Sequence, residues 1–162
     1  MFTMIFAGML LLSVVHSHAA SNITDEEALL QFSLHGQIPQ QFGGLLRLQV
    51  LSLQQNLLEG PIPHELGLLT NLLVLLLGQN NITGAIPFSL GNLSALTGLA
   101  LNNNELEGSL PKELGMLSQL NSFSVGSNRL SGTIPSAFGN LSALMYLSLS
   151  DNKLQGSIPS QL

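Results

Sequence analysis

At 162 residues the chain is long enough for one domain, yet only 8% of it is charged, about a third of the share in an average soluble domain. A net charge of −5 with four basic residues (Arg47, Lys112, Arg129 and Lys153) leaves too little positive charge for nucleic acid, and the absence of Cys removes disulfides, thiolate metal sites and a thiol nucleophile. Leu fills 38 positions, Gly 16 and Asn 13, a bias that an irregular core has no reason to produce and an internal repeat does.

Residues 1–20, MFTMIFAGMLLLSVVHSHAA, carry no charged side chain, and their apolar stretch Ile5–Val15 has the length of a signal-peptide core, too short to span a bilayer. Ser17, Ala19 and Ala20 supply small residues for cleavage near position 19 or 20, although the usual basic residue ahead of the apolar stretch is missing. A secretory signal peptide over 1–20 is therefore expected. No later apolar run is long enough to cross a membrane, so the mature chain is expected to have no membrane span and to be secreted.

From residue 33 onward the chain falls into rows of 24 without an insertion or deletion. Pro39, Pro63, Pro87, Pro111, Pro135 and Pro159 share one column, and Gly36, Gly60, Gly84, Gly108, Gly132 and Gly156 share another three residues earlier. Asn56, Asn80, Asn104, Asn128 and Asn152 form a third. Full rows run 45–68, 69–92, 93–116 and 117–140, with partial rows at both ends. In the row 45–68 the apolar columns are Leu45, Leu48, Leu51, Leu53, Leu58, Ile62 and Leu66, and the alternation around Leu51 and Leu53 predicts a short strand. One row alone cannot offset the entropy of ordering it. Rows are expected to stack, sharing apolar faces and joining their strands, about 4.8 Å apart, into a parallel sheet. The Asn column then forms a structural ladder, since a buried amide can satisfy the backbone of its own turn and of the next. Gly permits the tight turn, and Pro fixes an extended segment that needs no donor.

The stretch Leu93-Ser-Ala-Leu96-Thr-Gly-Leu99-Ala-Leu101-Asn-Asn-Asn104-Glu-Leu106-Glu-Gly108-Ser-Leu110-Pro111 follows the phrase LxxLxxLxLxxNxLxGxIPxxLGx, and over Ser33–Leu162 the chain resembles plant-type extracellular leucine-rich repeats. The resemblance implies an α/β solenoid, a right-handed stack with a parallel β-sheet on the concave face and short 3-10 or irregular turns on the convex face. Repeats of this type form the ectodomains of plant receptor-like kinases and receptor-like proteins, and also secreted inhibitors of cell-wall hydrolases. What it implies is a secreted or cell-surface binding module for signalling, immunity or development, with a peptide or protein ligand and a co-receptor as partners. A full-length form carrying an anchor would sit at the plasma membrane.

Asn22-Ile-Thr24-Asp25-Glu-Glu-Ala28-Leu29-Leu30-Gln-Phe32 resembles the TDxxALLxFK opening of the N-terminal cap in the same family, and Thr24 with Glu27 reads as a helix capping box. Residues 21–32 are thus expected to be a remnant of the cap helix. In the family a Cys–Trp–Cys segment and a first strand follow; here Phe32 runs into Ser33, midway through a row. A divergent cap without its disulfide or an internal deletion would explain this, and the mid-row resumption favours deletion. The chain also stops at Leu162 inside a row, so it is expected to be truncated, with apolar end turns exposed at Leu34, Ile38 and Phe42 and at Leu144, Leu147, Leu149, Leu154 and Ile158. Self-association through these uncapped ends follows, and a product without independent function is one alternative reading.

No catalytic constellation accompanies the repeats. The motifs GxGxxG, GxxxxGK, GxSxG, HExxH, HRD and DFG are absent, and no enzyme activity, cofactor or metal is expected. His35 and His64 are off any metal-ligand spacing and read as exposed loop residues. Glu59 and Glu107 share a column two rows apart and read as a solvated flank, roughly 10 Å from each other. The expected ligand-binding surface is the concave face, formed by Val50, Ser52 and Gln54, by Leu73, Val74 and Leu76, by Thr97, Ala100 and Asn102, by Asn121 and Ser124, and by Tyr146 and Ser148. Most are small and uncharged, which suits an extended peptide or a protein edge, while Val50, Leu73, Val74 and Leu76 would make an apolar patch. A hydrolase inhibitor would use the same face. In a secreted chain Asn22, Asn81, Asn92 and Asn140, each opening an Asn-x-Ser/Thr sequon, are candidate glycosylation sites.

Overall fold

The computed structural model describes residues 28–29, 35–160 and 162; the expected signal peptide, Asn22, Leu34 and most of the expected cap segment lie outside them. Each row folds into two short strands and one 3-10 helix. One parallel sheet runs in the order β1 (Ala28–Leu29), β3 (Val50–Ser52), β5 (Val74–Leu76), β7 (Gly98–Ala100), β9 (Ser122–Ser124), β11 (Tyr146–Ser148). A second contains β2 (His35–Gln37), β4 (Leu57–Gly60), β6 (Asn81–Ala85), β8 (Glu105–Ser109), β10 (Arg129–Thr133) and β12 (Lys153–Gln155). Between the second sheet and the next strand of the first lie the 3-10 helices Gln40–Gly44, His64–Leu68, Phe88–Asn92, Lys112–Met116 and Ser136–Asn140. The solenoid is the expected stack, with short 3-10 turns between strands, and it carries a second parallel sheet besides.

The apolar columns do what their spacing predicts. In the first sheet only the central residue of each strand turns inward, and Leu51, Leu75, Leu99 and Phe123 are buried. Of the seven apolar columns in row 45–68, six are buried, and Leu45 packs half-buried against them. Where Phe replaces Leu in two columns, at Phe123 and Phe138, the rings meet edge to face with centroids 6.0 Å apart. Each 3-10 helix opens after a column proline held near φ −65°, as at Pro63 (φ −63°, ψ 132°), whose carbonyl accepts the Leu66 N–H at 3.2 Å.

Two backbone devices let the rows repeat. The glycine column lies in the left-handed region, from φ +74° at Gly60 to +91° at Gly36, where a side chain would be strained. A different glycine closes each 3-10 helix against the next turn: a methyl on Gly91 would stand 2.5 Å from the Glu113 carbonyl oxygen. A second left-handed column carries no glycine. Gln55, Gln79, Asn103, Ser127 and Asp151, each just before a ladder Asn, have φ between +52° and +60°, a conformation that costs roughly 1–2 kcal/mol for an L-residue.

The Asn ladder is present, but it reaches the preceding turn rather than the next. Asn80 Nδ2 donates to Leu77 O at 3.0 Å and Gly78 O at 3.3 Å in its own turn, and to Leu53 O at 2.9 Å in the turn before. Its Oδ1 accepts the Leu58 N–H at 3.0 Å, also in the turn before. Asn104, Asn128 and Asn152 repeat this set, and Asn56 donates to Leu53 O and Gln54 O.

The expected helix fails where it is described. Ala28–Leu29 pair in parallel with β3, Ala28 opposite Leu51 and Leu29 opposite Ser52, because the edge of β3 offers backbone donors and acceptors that a strand satisfies and a helix cannot. Ile38 and Phe42, expected to be exposed, are buried. At the far end Leu144, Leu147, Leu149 and Leu154 are half-buried, and Ile158 is 75% exposed although its column mates Ile62 and Ile86 are 3% exposed.

Gly91→Ala should lower the melting temperature by several degrees or more, an overpacking cost of about 1–3 kcal/mol, whereas Gly44→Ala, with no atom within 4 Å of the added carbon, should leave it unchanged. Asn104→Leu removes the acceptor of the Ile82 N–H and one donor each from the Leu77, Leu101 and Asn102 carbonyls, which keep the Asn80 amide, the Asn128 amide and the Gln79 N–H, at about 1–3 kcal/mol for the N–H left unpaired. Asn152→Leu removes as many bonds, but at the last turn, where Ser150 is exposed, so denaturant titration should show a smaller loss there. Gln79→Gly should raise stability by about 0.5–1 kcal/mol, as relief of the left-handed conformation outweighs the added chain entropy; a lower denaturation midpoint would show that the glutamine is not strained.

Candidate functional site

The outer face of the first sheet is built by pairing between equivalent positions of adjacent rows, so these positions form straight lines across the strands. One line reads Val50, Val74, Gly98, Ser122, Tyr146; another reads Ser52, Leu76, Ala100, Ser124, Ser148. Because a strand alternates sides, these flank the buried central residues and point away from the core. All thirteen expected binding residues fall on this side. Gln54, Leu73, Asn121 and Tyr146 are exposed, and the other nine are half-buried. The expected apolar patch is real but modest: only Leu73 of its four members is exposed, while Val50, Val74 and Leu76 are half-buried.

Backbone pairing continues through the residue before each strand. The Leu73 carbonyl accepts the Thr97 N–H at 2.8 Å and the Gly98 N–H at 3.1 Å, and the Thr97 hydroxyl also donates to it at 3.0 Å. Past the strands, Gly78 makes room for Asn102, whose Oδ1 would stand 2.8 Å from a methyl placed there, and Gly126 does the same for the hydroxyls of Ser148 and Ser150.

Column reading passed over Gly98. It leaves a notch beside Val74, whose methyl groups would stand 3.7 and 3.8 Å from an added carbon. With Ala100, Ser122 and Ser124 it makes a low centre between the apolar residues of β3 and β5 and the exposed Met145 and Tyr146 at the other end. The signal was present in the columns, as the one position in its line where Val gives way to nothing.

Charge is sorted away from this face. Across its five outward columns the one ionisable carboxylate is Asp151. Glu59, Glu105, Glu107, Arg129 and Lys153 lie on the second sheet, where Arg129 Nη2 meets Glu105 Oε2 at 3.1 Å; both side chains are open to solvent, so the pair adds little. Glu59 and Glu107 do flank the second sheet, but pairing there is shifted within the row, so Glu59 stands opposite Asn81 and Glu107 opposite Arg129. His35 and His64 are exposed as expected, though on a strand and a 3-10 helix rather than in loops, with His64 Nδ1 3.4 Å from Glu65 Oε2. No group of three or more potential metal ligands occurs among the described residues, and none of their helices is long and apolar enough to cross a membrane.

Family profiles described as "Leucine rich repeat" match residues 118–162, 47–69 and 71–93. No curated protein matches the chain. Among solved structures, the LRR ectodomain of the membrane receptor kinase GASSHO1/SCHENGEN3 from Arabidopsis thaliana, in complex with CASPARIAN STRIP INTEGRITY FACTOR 2, superposes with a TM-score of 0.78 at 45% identity over 80% of this chain. This chain spans 16% of that one. The ectodomain of the Arabidopsis receptor kinase HAESA with an IDA peptide hormone ligand gives 0.76 and 35%, over 80% of this chain and 22% of the other. For the ectodomain of the receptor kinase SOBIR1 from Arabidopsis thaliana the TM-score is 0.74 at 35% identity, covering 80% of this chain and 70% of that one. With the asparagine ladder, the paired sheets and these matches together, the chain belongs to the leucine-rich repeat proteins, in the class that forms the extracellular domains of plant receptor kinases.

Proposed function

We propose that this chain is a non-catalytic binding module on the outside of a plant cell, taking a peptide or a protein edge along the outer face of its first sheet. The observation that carries this reading is the face itself. Five strands from β3 to β11 lie in unbroken register and present amides, hydroxyls and small apolar groups with almost no charge. At about 4.8 Å per strand the face is roughly 19 Å long, enough for about six extended residues. An uncharged peptide backbone is satisfied by such donors and acceptors, whereas a phosphate would find no cation there. The ligands named for the GASSHO1 and HAESA ectodomains point to the same class of partner, and a second ectodomain acting as co-receptor would complete a signalling assembly.

Calorimetric titration with a panel of secreted plant peptide hormones, CASPARIAN STRIP INTEGRITY FACTOR 2 and the IDA peptide among them, tests this. A peptide that binds should lose about tenfold or more in affinity on Ala100→Arg, which fills the low centre of the face. It should be unaffected by Thr83→Arg on β6. Equal affinities for the parent and Ala100→Arg would remove the first sheet as the binding surface.

A further inference from the structure

Glycine weakens a strand, because it surrenders more conformational freedom on folding than any other residue and offers no side chain to pack. Inside a strand it commonly marks a bulge, a tight bend or the close approach of another molecule. The strand glycines of the second sheet lie in the left-handed region, and Gly67 and Gly91 are pressed by the next turn. Gly78 and Gly126 give up their space to the Asn102 amide and to the Ser148 and Ser150 hydroxyls. Gly98 has none of these causes. Its φ is not left-handed, and pairing runs through it without a bulge, from Val74 to Gly98 to Ser122. Apart from its chain neighbours, the atoms within 4 Å of an added carbon are the two Val74 methyl groups, at 3.7 and 3.8 Å, which is ordinary van der Waals contact. The fold leaves this space open and gains nothing by doing so.

The surroundings decide what fits there. In the first sheet equivalent positions of adjacent rows pair directly, so the walls of the notch are its line mates. Val74 and Leu76 stand on the β5 side, Ser122 and Ser124 on the β9 side, and Ala100 continues the floor. Beside Val50 and Val74 in the same line, what Gly98 lacks is an isopropyl group. No charged residue stands in either line, so a charged group seated there would go unpaired. The Ser122 and Ser124 hydroxyls make no hydrogen bond to another described residue, whereas those of Ser89, Thr97, Ser127 and Ser131 each have a partner. Among the five strands β3 to β11, β7 is the middle one, and the contacts that dominate an interface collect near its centre.

We propose that the notch at Gly98 is the anchor subsite of the binding face. It takes one branched aliphatic side chain of an extended peptide against Val74 and Leu76, while the peptide main chain meets the Ser122 and Ser124 hydroxyls. This rests on the reading of the first sheet as the binding surface. The end of a leucine, isoleucine or valine restores the group that the line lacks, and it leaves water for an apolar wall as it does so. The two serine hydroxyls, each able to donate and to accept, serve a peptide N–H or C=O on the opposite side. Side-chain class is thus read at one strand and main chain at the next.

The test selects binders to the full chain from a displayed library of random hexapeptides, with counter-selection on Ala100→Arg so that first-sheet binders alone are kept. Their sequences should share a Leu, Ile or Val at one position. Replacing that residue by Ala should weaken binding to the parent chain about tenfold or more. Gly98→Val, which builds the isopropyl group into the face, should weaken the selected peptide by a similar factor, and the Ala-substituted peptide should bind both chains alike. Gly98→Val should melt no lower than the parent, since valine suits a strand and its added carbon meets Val74 at no less than 3.7 Å. First-sheet binders without a shared aliphatic residue, undiminished binding to Gly98→Val, or a Gly98→Val chain that melts lower overturns the subsite and leaves the first sheet as the binding surface. A library that yields no peptide sensitive to Ala100→Arg overturns both.

Discussion

The amide of a single asparagine in each turn is the joint on which the stack depends. Asn80 reaches Leu53 O at the end of a first-sheet strand and the Leu58 N–H in a second-sheet strand, both in the preceding turn, while holding Leu77 O and Gly78 O in its own. One side chain thus binds two sheets and two turns and uses its full capacity to donate and accept. No other neutral side chain of that length offers both functions at once. The geometry has a cost one residue earlier, where Gln55, Gln79, Asn103, Ser127 and Asp151 are held left-handed so that the chain can bend around the amide. Strain and ladder are therefore one feature, repeated every turn because the bond set repeats.

The two sheets pair their rows differently. In the first, equivalent positions face one another, as Leu51 faces Leu75. In the second the partner is displaced along the row, so that Gly108 faces Leu130 rather than its column mate Gly132. That displacement is even, so alternation is preserved and every strand keeps the same side inward. The first sheet lines up equivalent positions and can present a continuous surface to a ligand. In the second, unlike positions face one another, and five of the ten charged residues among those described lie there, with three more on the 3-10 helices. That division of labour leaves one face chemically mild and extended, and puts the solubilising groups elsewhere.

Most of the architecture could be read from columns. Six prolines, six glycines and five asparagines in register predicted turns, ladder and stacking, and each column has the backbone geometry its residue type implies. The second sheet was harder to read, because its strands bury only one residue before the left-handed glycine, as at Leu58 and Gly60, too short a run to show alternation. The direction of the ladder bonds was invisible, since an amide can turn to either neighbour. At Ala28–Leu29 local helix signals lost to the unpaired edge of β3, a long-range demand that a capping motif does not register. The outward residues of the first sheet's strands followed from strand periodicity alone. Its notch at Gly98 did not, because a missing side chain acquires meaning only beside the Val74 methyl groups.

Since every turn bonds only to its neighbours, and does so with the same atoms, the length of this protein is quantised. Gain or loss of a whole row leaves each remaining hydrogen bond, glycine contact and buried leucine in place, whereas a slip of one residue inside the stack would turn the apolar set of a strand outward. The rung formed by Ala28–Leu29 is itself out of step with the rows, since Ala28 rather than Glu27 stands opposite Leu51. It shows where such a slip is tolerated: at the edge of the first sheet as described, on a two-residue strand. Variation in this architecture is thus channelled into counting, and the first sheet can lengthen or shorten in fixed steps without redesign of the core.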